Sequence, residues 1–303
     1  MRKVPALLLC GIIAFSMLQT GSAKADSKKI VGSPKLAVLV DGRKVKFQGG
    51  DPVSENGRVQ VPLRGIGEAL GAKVAFSGKS VSYQKAGKSI ELTLGSREAA
   101  VDGKIVTMDA EAKAVKGRTY VPLRFVSENL GEAVSWDQVG NWVWIGNQKV
   151  PDITEVTKLQ KIESYKNYFH GAEDMLVAID KKFTDVRVVS HETMPTYFKE
   201  ITFLNMWMVT DSENYGVRVR YKGPKKLVMY FLSGNGDIRS RTGHIIEQSD
   251  GTKIAQFRIK SPGDNVIYQD KNWKNYSIKN IDYFFFPPYL EDDSIHLISN
   301  PFK

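Results

Sequence analysis

Cysteine is almost absent from this chain: Cys10 is the only one among 303 residues. A lone cysteine forms no internal disulfide and no multi-thiolate metal site, so the folded part must be held by its core alone. Histidine is nearly as scarce, and His170, His191, His244 and His296 are widely scattered. No Gly-x-Ser-x-Gly, His-Glu-x-x-His, phosphate-loop or dinucleotide fingerprint occurs. His191-Glu192 lacks a second histidine. Adjacent acids such as Glu173/Asp174 and Glu291/Asp292/Asp293 are common at surfaces and carry no hydrolytic spacing. Charged low-complexity blocks are also missing, whereas hydrophobic residues make up 42% and aromatics 10%. That balance belongs to a globular chain, and the length suffices for two domains.

The one sustained apolar run lies in the first 25 residues. Arg2 and Lys3 precede Leu7 to Leu18, and Ala23-Lys24-Ala25 offers a small-x-small cleavage site. Residues 1–25 thus read as a signal peptide, with Asp26 the first residue of a secreted chain. The run is too short for a comfortable span, so no transmembrane segment is expected after cleavage. Leu9 stands before Cys10 where a lipoprotein signal needs a small residue, which argues against lipidation. Cleavage would leave the mature chain without cysteine. It would also remove three cations and no acids, taking the net charge from +10 to +7. Outside the cell the available polyanions are teichoic acids, lipid headgroups and acidic polysaccharides, not nucleic acid. Lysines that merely confer solubility are the plainer alternative.

The chain is organised around a stretch that occurs twice, 60 residues apart. Val59-Gln60-Val61-Pro62-Leu63-Arg64 runs on to Leu70-Gly71, and Thr119-Tyr120-Val121-Pro122-Leu123-Arg124 runs on to Leu130-Gly131. A short strand ends at Val61 or Val121, and a proline suited to a helix start follows. Leu63, Ile66 and Leu70, like Leu123, Val126 and Leu130, fall on one helical face. Gly71 and Gly131 supply the left-handed residue that stops each helix. Asp41-Gly42 and Asp102-Gly103 are hairpin turns. The copies span about 36–95 and 98–146, after a flexible lead-in at 26–35, and the second closes on Trp142-Val143-Trp144-Ile145-Gly146.

The Val-Asp-Gly hairpin, the doubled Val-Pro-Leu-Arg, the Leu-Gly stop and the terminal Trp-Val-Trp-Ile-Gly resemble the copper amine oxidase N-terminal-like domain, the "stalk" domain of many secreted Gram-positive proteins. The resemblance covers residues 36–147. It implies an α+β module at the cell surface, a doubled strand–helix–strand unit with antiparallel sheet. It implies no copper and no other cofactor, because the stalk is separate from the oxidase catalytic domain. That catalytic domain needs a quinone-forming tyrosine followed by an acid and three copper-binding histidines. Here Asn214-Tyr215-Gly216 and Asn275-Tyr276-Ser277 lack the acid, and no His-x-His pair exists.

Val150-Pro151-Asp152 marks a boundary, and residues 151–303 are expected to form a second α+β domain. Val156, Leu159, Ile162, Tyr165, Phe169, Leu176 and Ile179 recur at three- and four-residue steps. They predict one long helix over 154–182, bent at Gly171. Strands follow as an antiparallel meander: 186–190, 201–209, 215–221, 227–232, 244–248, 254–259 and 266–268. In Tyr215 to Tyr221, Val217, Val219 and Tyr221 face one way and Arg218 and Arg220 the other. The expected shape is a helix cradled by a curved sheet.

Four groups of residues invite a functional reading. Arg64 and Arg124, in the first turns of their helices, sit poorly with the helix dipole. They call for an ion pair or loop carbonyl, the structural reading, or form a twofold-related anion site. Trp142 and Trp144 share a strand face and serve as core or as a sugar-stacking platform. Tyr283, Phe284, Phe285, Phe286 and Tyr289, broken by Pro287 and Pro288, either dock on a core or form an exposed interaction patch. Arg218, Arg220, Lys222, Lys225 and Lys226, with Arg239 and Arg241 beyond, would suit an anionic polymer if they share one face. The function these features favour is a secreted, non-enzymatic, wall-associated protein whose partner is an anionic wall polymer or another envelope protein. A wall-polymer hydrolase and a carrier of small ligands or lipid are the alternatives.

Overall fold

A computed structural model describes residues 32–178, 181–210, 215–287 and 294–303. The leader, Cys10, most of the lead-in, Ile179, Tyr289 and the acids at 291–293 lie outside the described residues. The chain is a mixed α+β protein, with mostly antiparallel sheets and few helices.

The two sequence copies meet at a local twofold. Strands Arg58–Pro62 and Arg118–Pro122 pair antiparallel, with Val61 opposite Val121, Gln60 opposite Pro122, and Pro62 opposite Tyr120. Val53–Glu55 and Lys113–Val115 add to the outer edges. Each strand runs into a seven-residue helix, α1 Leu63–Ala69 and α2 Leu123–Asn129. Each proline stands at the N-cap, one residue ahead of the first helical position. The helices end alike. The Gly71 N–H bonds the Glu68 carbonyl and that of Ala72 bonds Gly67; Gly131 and Glu132 do the same to Glu128 and Ser127. This double bond to the last turn requires a left-handed residue, and φ is +67° at Gly71 and +94° at Gly131.

The opening hairpins are traded between the copies. Ala37–Val40, from the first copy, pairs in parallel with Trp142–Ile145 of the second. Glu98–Val101, from the second, pairs with Lys88–Thr93 of the first. Two further sheets result, one running from Lys73–Ser77 through Ser80–Lys85 to Lys104–Thr107, the other built on Val134–Asp137 and Trp142–Ile145. Their shared core holds Val61, Ile66, Tyr83, Ile90, Val121, Val126, Val143 and Ile145.

Residues 151–303 do not form the expected long helix. Helix α3 spans only Ile153–Val156, capped by Asp152. Thr157 is extended, and Leu159–Lys161 becomes an edge strand against Asp185–Val189. A 3-10 helix, Ile162–Phe169, follows, and Gly171 turns the chain at φ +78°. The three- and four-residue spacing was real, since Ile162, Tyr165 and Phe169 all bury one face. That face belongs to a helix of only eight residues, and Val156, Leu159 and Leu176 lie on other elements.

Nor do the strands form a single meander. Thr196–Phe198, Ile201–Thr210, Tyr215–Lys222, Lys253–Arg258 and His244–Glu247 make a five-stranded antiparallel sheet. Leu159–Lys161, Asp185–Val189, Ser294–Ser299, Tyr283–Phe285, Val228–Leu232 and Ile238–Thr242 make a six-stranded one, parallel only between Asp185–Val189 and Ser294–Ser299. The sheets face each other across Phe203, Val217, Val219, Tyr221, Met229, Phe231, Phe257 and Phe284. The 3-10 helix covers the outer face of the six-stranded sheet over Phe285, Ile295 and Leu297. The expected strand at 266–268 is instead the short helix Asp264–Ile267.

Alanine at either helix-stop glycine should lower stability by about 1–2 kcal/mol through backbone strain, read as a shift in urea midpoint. No atom lies within 4 Å of a Cβ placed at Gly71, so strain alone sets the loss there. Gly67→Ala should cost more, because its Cβ would sit 2.1 Å from Val74 Cγ2.

Candidate functional site: the interdomain seam

Two strands at the interdomain boundary are covered on both faces. Trp142–Ile145 is buried at every position, and Ile201–Thr210 is apolar on both sides. Each turns one face to its own core and the other to its neighbour. Val143 and Ile145 enter the N-terminal core, while Trp142 and Trp144 pack with Leu39 and with Leu204 of the second domain. Beside them Trp207, Val209 and Ile254 meet Val139. Trp142 is 1% exposed and Trp144 8%. Their rings meet edge to face, with centroids 5.9 Å apart. Two indoles hidden this fully remove on the order of 400 Å² from water, roughly 10 kcal/mol of gross burial. An exposed pair across the same boundary, Arg43 with Glu155 at 2.8 Å, contributes at most about 1 kcal/mol. Apolar burial therefore holds the domains together. The indoles are core, and the sugar-platform reading fails because their faces are covered.

One arginine of the expected anion-binding face is spent on the same seam. Arg220 is 3% exposed. Its Nη1 donates to Asp137 of the first domain at 2.5 Å, its Nη2 to Asp250 at 2.5 Å, and its Nε to Thr252 Oγ1 at 3.1 Å. Burial pushes the Asp250 carboxyl up, but bonds from Thr252 and the Arg220 charge outweigh it and hold that acid below its usual range. Gly140 leaves the room this pair needs, since a Cβ there would lie 2.6 Å from Arg220 Nη1. Arg218 bonds Gln256 within its own sheet. Lys222, Lys225 and Lys226 remain exposed. Arg239 and Arg241 stand on the other sheet, bound by Asp237, Asp264 and Asp270. The seven cations therefore do not share one face.

The aromatic cluster is likewise structural where it is described. Tyr283–Phe285 is an inner strand of the six-stranded sheet. Phe284 points to the core between the sheets, Phe285 to the layer under the 3-10 helix, and Phe286 stacks near Phe203 and Phe257. The strand ends at Phe285, two residues before Pro287, so that proline does not interrupt it. Tyr283, Phe284, Phe285 and Phe286 form no exposed patch. Among the repeat residues, Pro62 and Pro122 are buried, while Arg64 and Arg124 are exposed. Arg124 lies 3.8 Å from Glu128 one turn on, a surface pair.

Clefts flank the seam on both sides. One, of about 570 Å³, is lined by Trp136, Asp137, Trp144, Arg220, Lys222 and Thr252, among others. The other, of about 620 Å³, runs past Lys35, Lys44, Trp142, His191, Glu192 and Asn205. Lys44 donates to the His191 carbonyl at 2.7 Å, and its ammonium lies 5.2 Å from the Trp142 ring centre. Burial lowers its pKa to about 8, partly offset by Glu192. Burial, aided by the Lys44 charge, lowers that of His191 to about 4. Near neutral pH the imidazole therefore stays neutral, while the Lys44 ammonium gives up its proton more readily than an ordinary lysine. Among the described residues no group of three or more His, Cys, Asp or Glu side chains could hold a metal ion, and no helix is long and apolar enough to cross a membrane.

The sequence pointed to Trp142, Trp144 and Arg220 separately and missed that they meet. Asp137, Gly140 and Lys44 were not singled out, and His191 was weighed only as part of an incomplete His-Glu motif. Only the two-faced apolar strands signalled a seam.

Removing Arg220 should cost about 3–5 kcal/mol, because Asp137 and Asp250 are left as uncompensated charges. Gly140→Ala should loosen the same contact, and for both variants limited proteolysis near residue 150 should speed up. His191 gives a pH signature. The unfolded chain protonates it near its ordinary 6.5, the folded chain only near 4. Between those values the unfolded state binds more protons, so stability falls as pH drops. His191→Gln should flatten that fall in the denaturant midpoint. Lys44 acts at the other end, costing stability below pH 8 and relieving it as pH rises towards 10.5.

No curated protein matches this chain. One family model does, over residues 39–145, the stretch that carries the doubled Val-Pro-Leu-Arg and both traded hairpins, and no family model matches the remainder. Residues 39–145 thus match the family model of the copper amine oxidase N-terminal domain.

Proposed function

We propose that this is a secreted, non-enzymatic cell-envelope protein, in which the copper amine oxidase N-terminal module is a stalk that presents a C-terminal binding domain. The observation that carries the reading is the seam. A module that buries two indoles and a charged arginine against its neighbour acts as a rigid mount, not a tethered tag. The ligand class is an anionic wall polymer or another envelope protein. Support for the polymer comes from the net charge of +7 that leader cleavage would leave (+10 less Arg2, Lys3 and Lys24) and from Lys222, Lys225 and Lys226, exposed at one turn of the C-terminal domain. The carrier alternative is less favoured. Tyr221, Phe231, Phe257 and Phe284 fill the space between the sheets, where a lipid would have to lie. For the hydrolase, the histidines stand on separate elements. His170 ends the 3-10 helix beside Glu173, His191 lies in the seam cleft, His244 is on an edge strand, and His296 packs on Phe198.

Cosedimentation of residues 26–303 with purified cell-wall sacculi tests the proposal. Binding should require teichoic acid, fade as salt shortens the Debye length to about 3 Å near 1 M, and weaken several-fold in Lys222→Gln/Lys225→Gln/Lys226→Gln. Turnover of wall polymer by the purified chain would sink the non-enzymatic reading.

A further inference from the structure

The segment from Lys260 to Asn280 is fastened to the second domain by its acids. Asp264 accepts from Arg241 Nη2 at 2.8 Å and lies 3.4 Å from Arg239 Nη1, and Asp270 accepts from Arg239 Nη2 at 2.9 Å. Tyr268 turns inward, its hydroxyl accepting from the Ser240 N–H at 2.8 Å. Both carboxylates of the segment are therefore neutralised from within. Outward it turns two aliphatics and three lysines, Lys271, Lys274 and Lys279, among neutral polar side chains.

Val266 and Ile267 are consecutive on the short helix Asp264–Ile267 and are 79% and 71% exposed. Adjacent aliphatic side chains this bare leave apolar surface in water without a fold-internal reason, since neither is needed to fill the core. Lys260, Lys271, Lys274 and Lys279 stand in the same segment. The Lys260 ammonium donates to the Lys274 carbonyl at 2.7 Å, which draws the two ends of the segment together. The Lys274 ammonium lies 5.9 Å from the centre of the half-buried Trp273 ring. An exposed apolar tip, a half-buried indole and three exposed lysines in one segment with no unpaired acid offer the chemistry of each layer of an anionic bilayer: acyl boundary, interfacial zone, charged headgroups.

We propose that this segment is a peripheral membrane contact that seats Val266 and Ile267 in the headgroup boundary of an anionic lipid bilayer, with Lys271, Lys274 and Lys279 on the lipid phosphates. A soluble polyanion would engage the lysines and leave the two aliphatics wet. A bilayer satisfies both. The contact does not depend on the wall-polymer reading, which rests on Lys222, Lys225 and Lys226.

Flotation of residues 26–303 with vesicles of phosphatidylcholine, with and without phosphatidylglycerol, decides it. The protein should float only with the anionic vesicles. Val266→Asn/Ile267→Asn should weaken that partitioning on the order of tenfold, and Lys271→Gln/Lys274→Gln should weaken it and flatten its salt dependence. All four side chains lie outside the core, so an unchanged thermal midpoint verifies folding. Failure of the native protein to float, or equal flotation of Val266→Asn/Ile267→Asn, overturns the proposal. So does competition by soluble poly(glycerol phosphate) that is equally effective for the native chain and Val266→Asn/Ile267→Asn, because the segment would then be a charge site for a polymer. Sacculus binding that persists while flotation fails would leave the wall-polymer reading standing alone.

Discussion

Strands that are apolar on both faces must be covered twice, and this constraint shapes the molecule. Trp142–Ile145 and Ile201–Thr210 each have a domain core on one side. Neither could leave its second face in water without exposing indoles, Leu204 or Trp207. They cover each other, and Arg220, carried on the neighbouring strand, is neutralised across the boundary by Asp137. A buried arginine of this kind adds little net stability, since its desolvation opposes its ion pairs. Its geometric demand is another matter: the guanidinium fork is satisfied in one relative placement of the domains. Apolar burial supplies the adhesion, and the charge pair supplies the register.

The N-terminal module was legible because its signals are local. Proline at a strand–helix junction, glycine at a helix stop and Asp-Gly at a hairpin each act over four or five residues, and each appears twice. The second domain was less legible because its decisive facts are long-range. Ile162, Tyr165 and Phe169 carry a helical spacing that a 3-10 turn can also satisfy, and nothing within ten residues says that Leu159 will become a sheet edge. Phe284 and Phe285 were read as docked on a core or as an exposed patch, but not as a regular strand, because Pro287 and Pro288 argue against one. The strand simply ends first, and its partners, Val228–Leu232 and Ser294–Ser299, lie on either side in sequence at distances no local rule spans.

The candidate site follows the same division. Trp142 and Trp144 were visible as a pair, and alternation correctly placed them opposite Val143 and Ile145. That their face would be covered by another domain was not visible, because Leu204 lies some sixty residues away. Arg218 and Arg220 alternate cleanly with Val217 and Val219, yet the two arginines meet different fates: one bonds a glutamine in its own sheet, the other is consumed by the seam. Charge patterning identifies which side of a strand is polar; it does not identify whether water or protein lies beyond it.

The traded hairpins make the N-terminal module more than two copies in tandem. Neither copy contains its own complete sheet: Ala37–Val40 belongs structurally to the second, and Glu98–Val101 to the first. One copy synthesised alone would be left with a vacant sheet position and a hairpin with nowhere to bind, and the way to satisfy both is to exchange hairpins with another copy. The module is therefore built as an exchanged dimer in which one covalent link joins the protomers. Its symmetry axis, between Val61 and Val121, is the subunit boundary of an assembly that can no longer come apart.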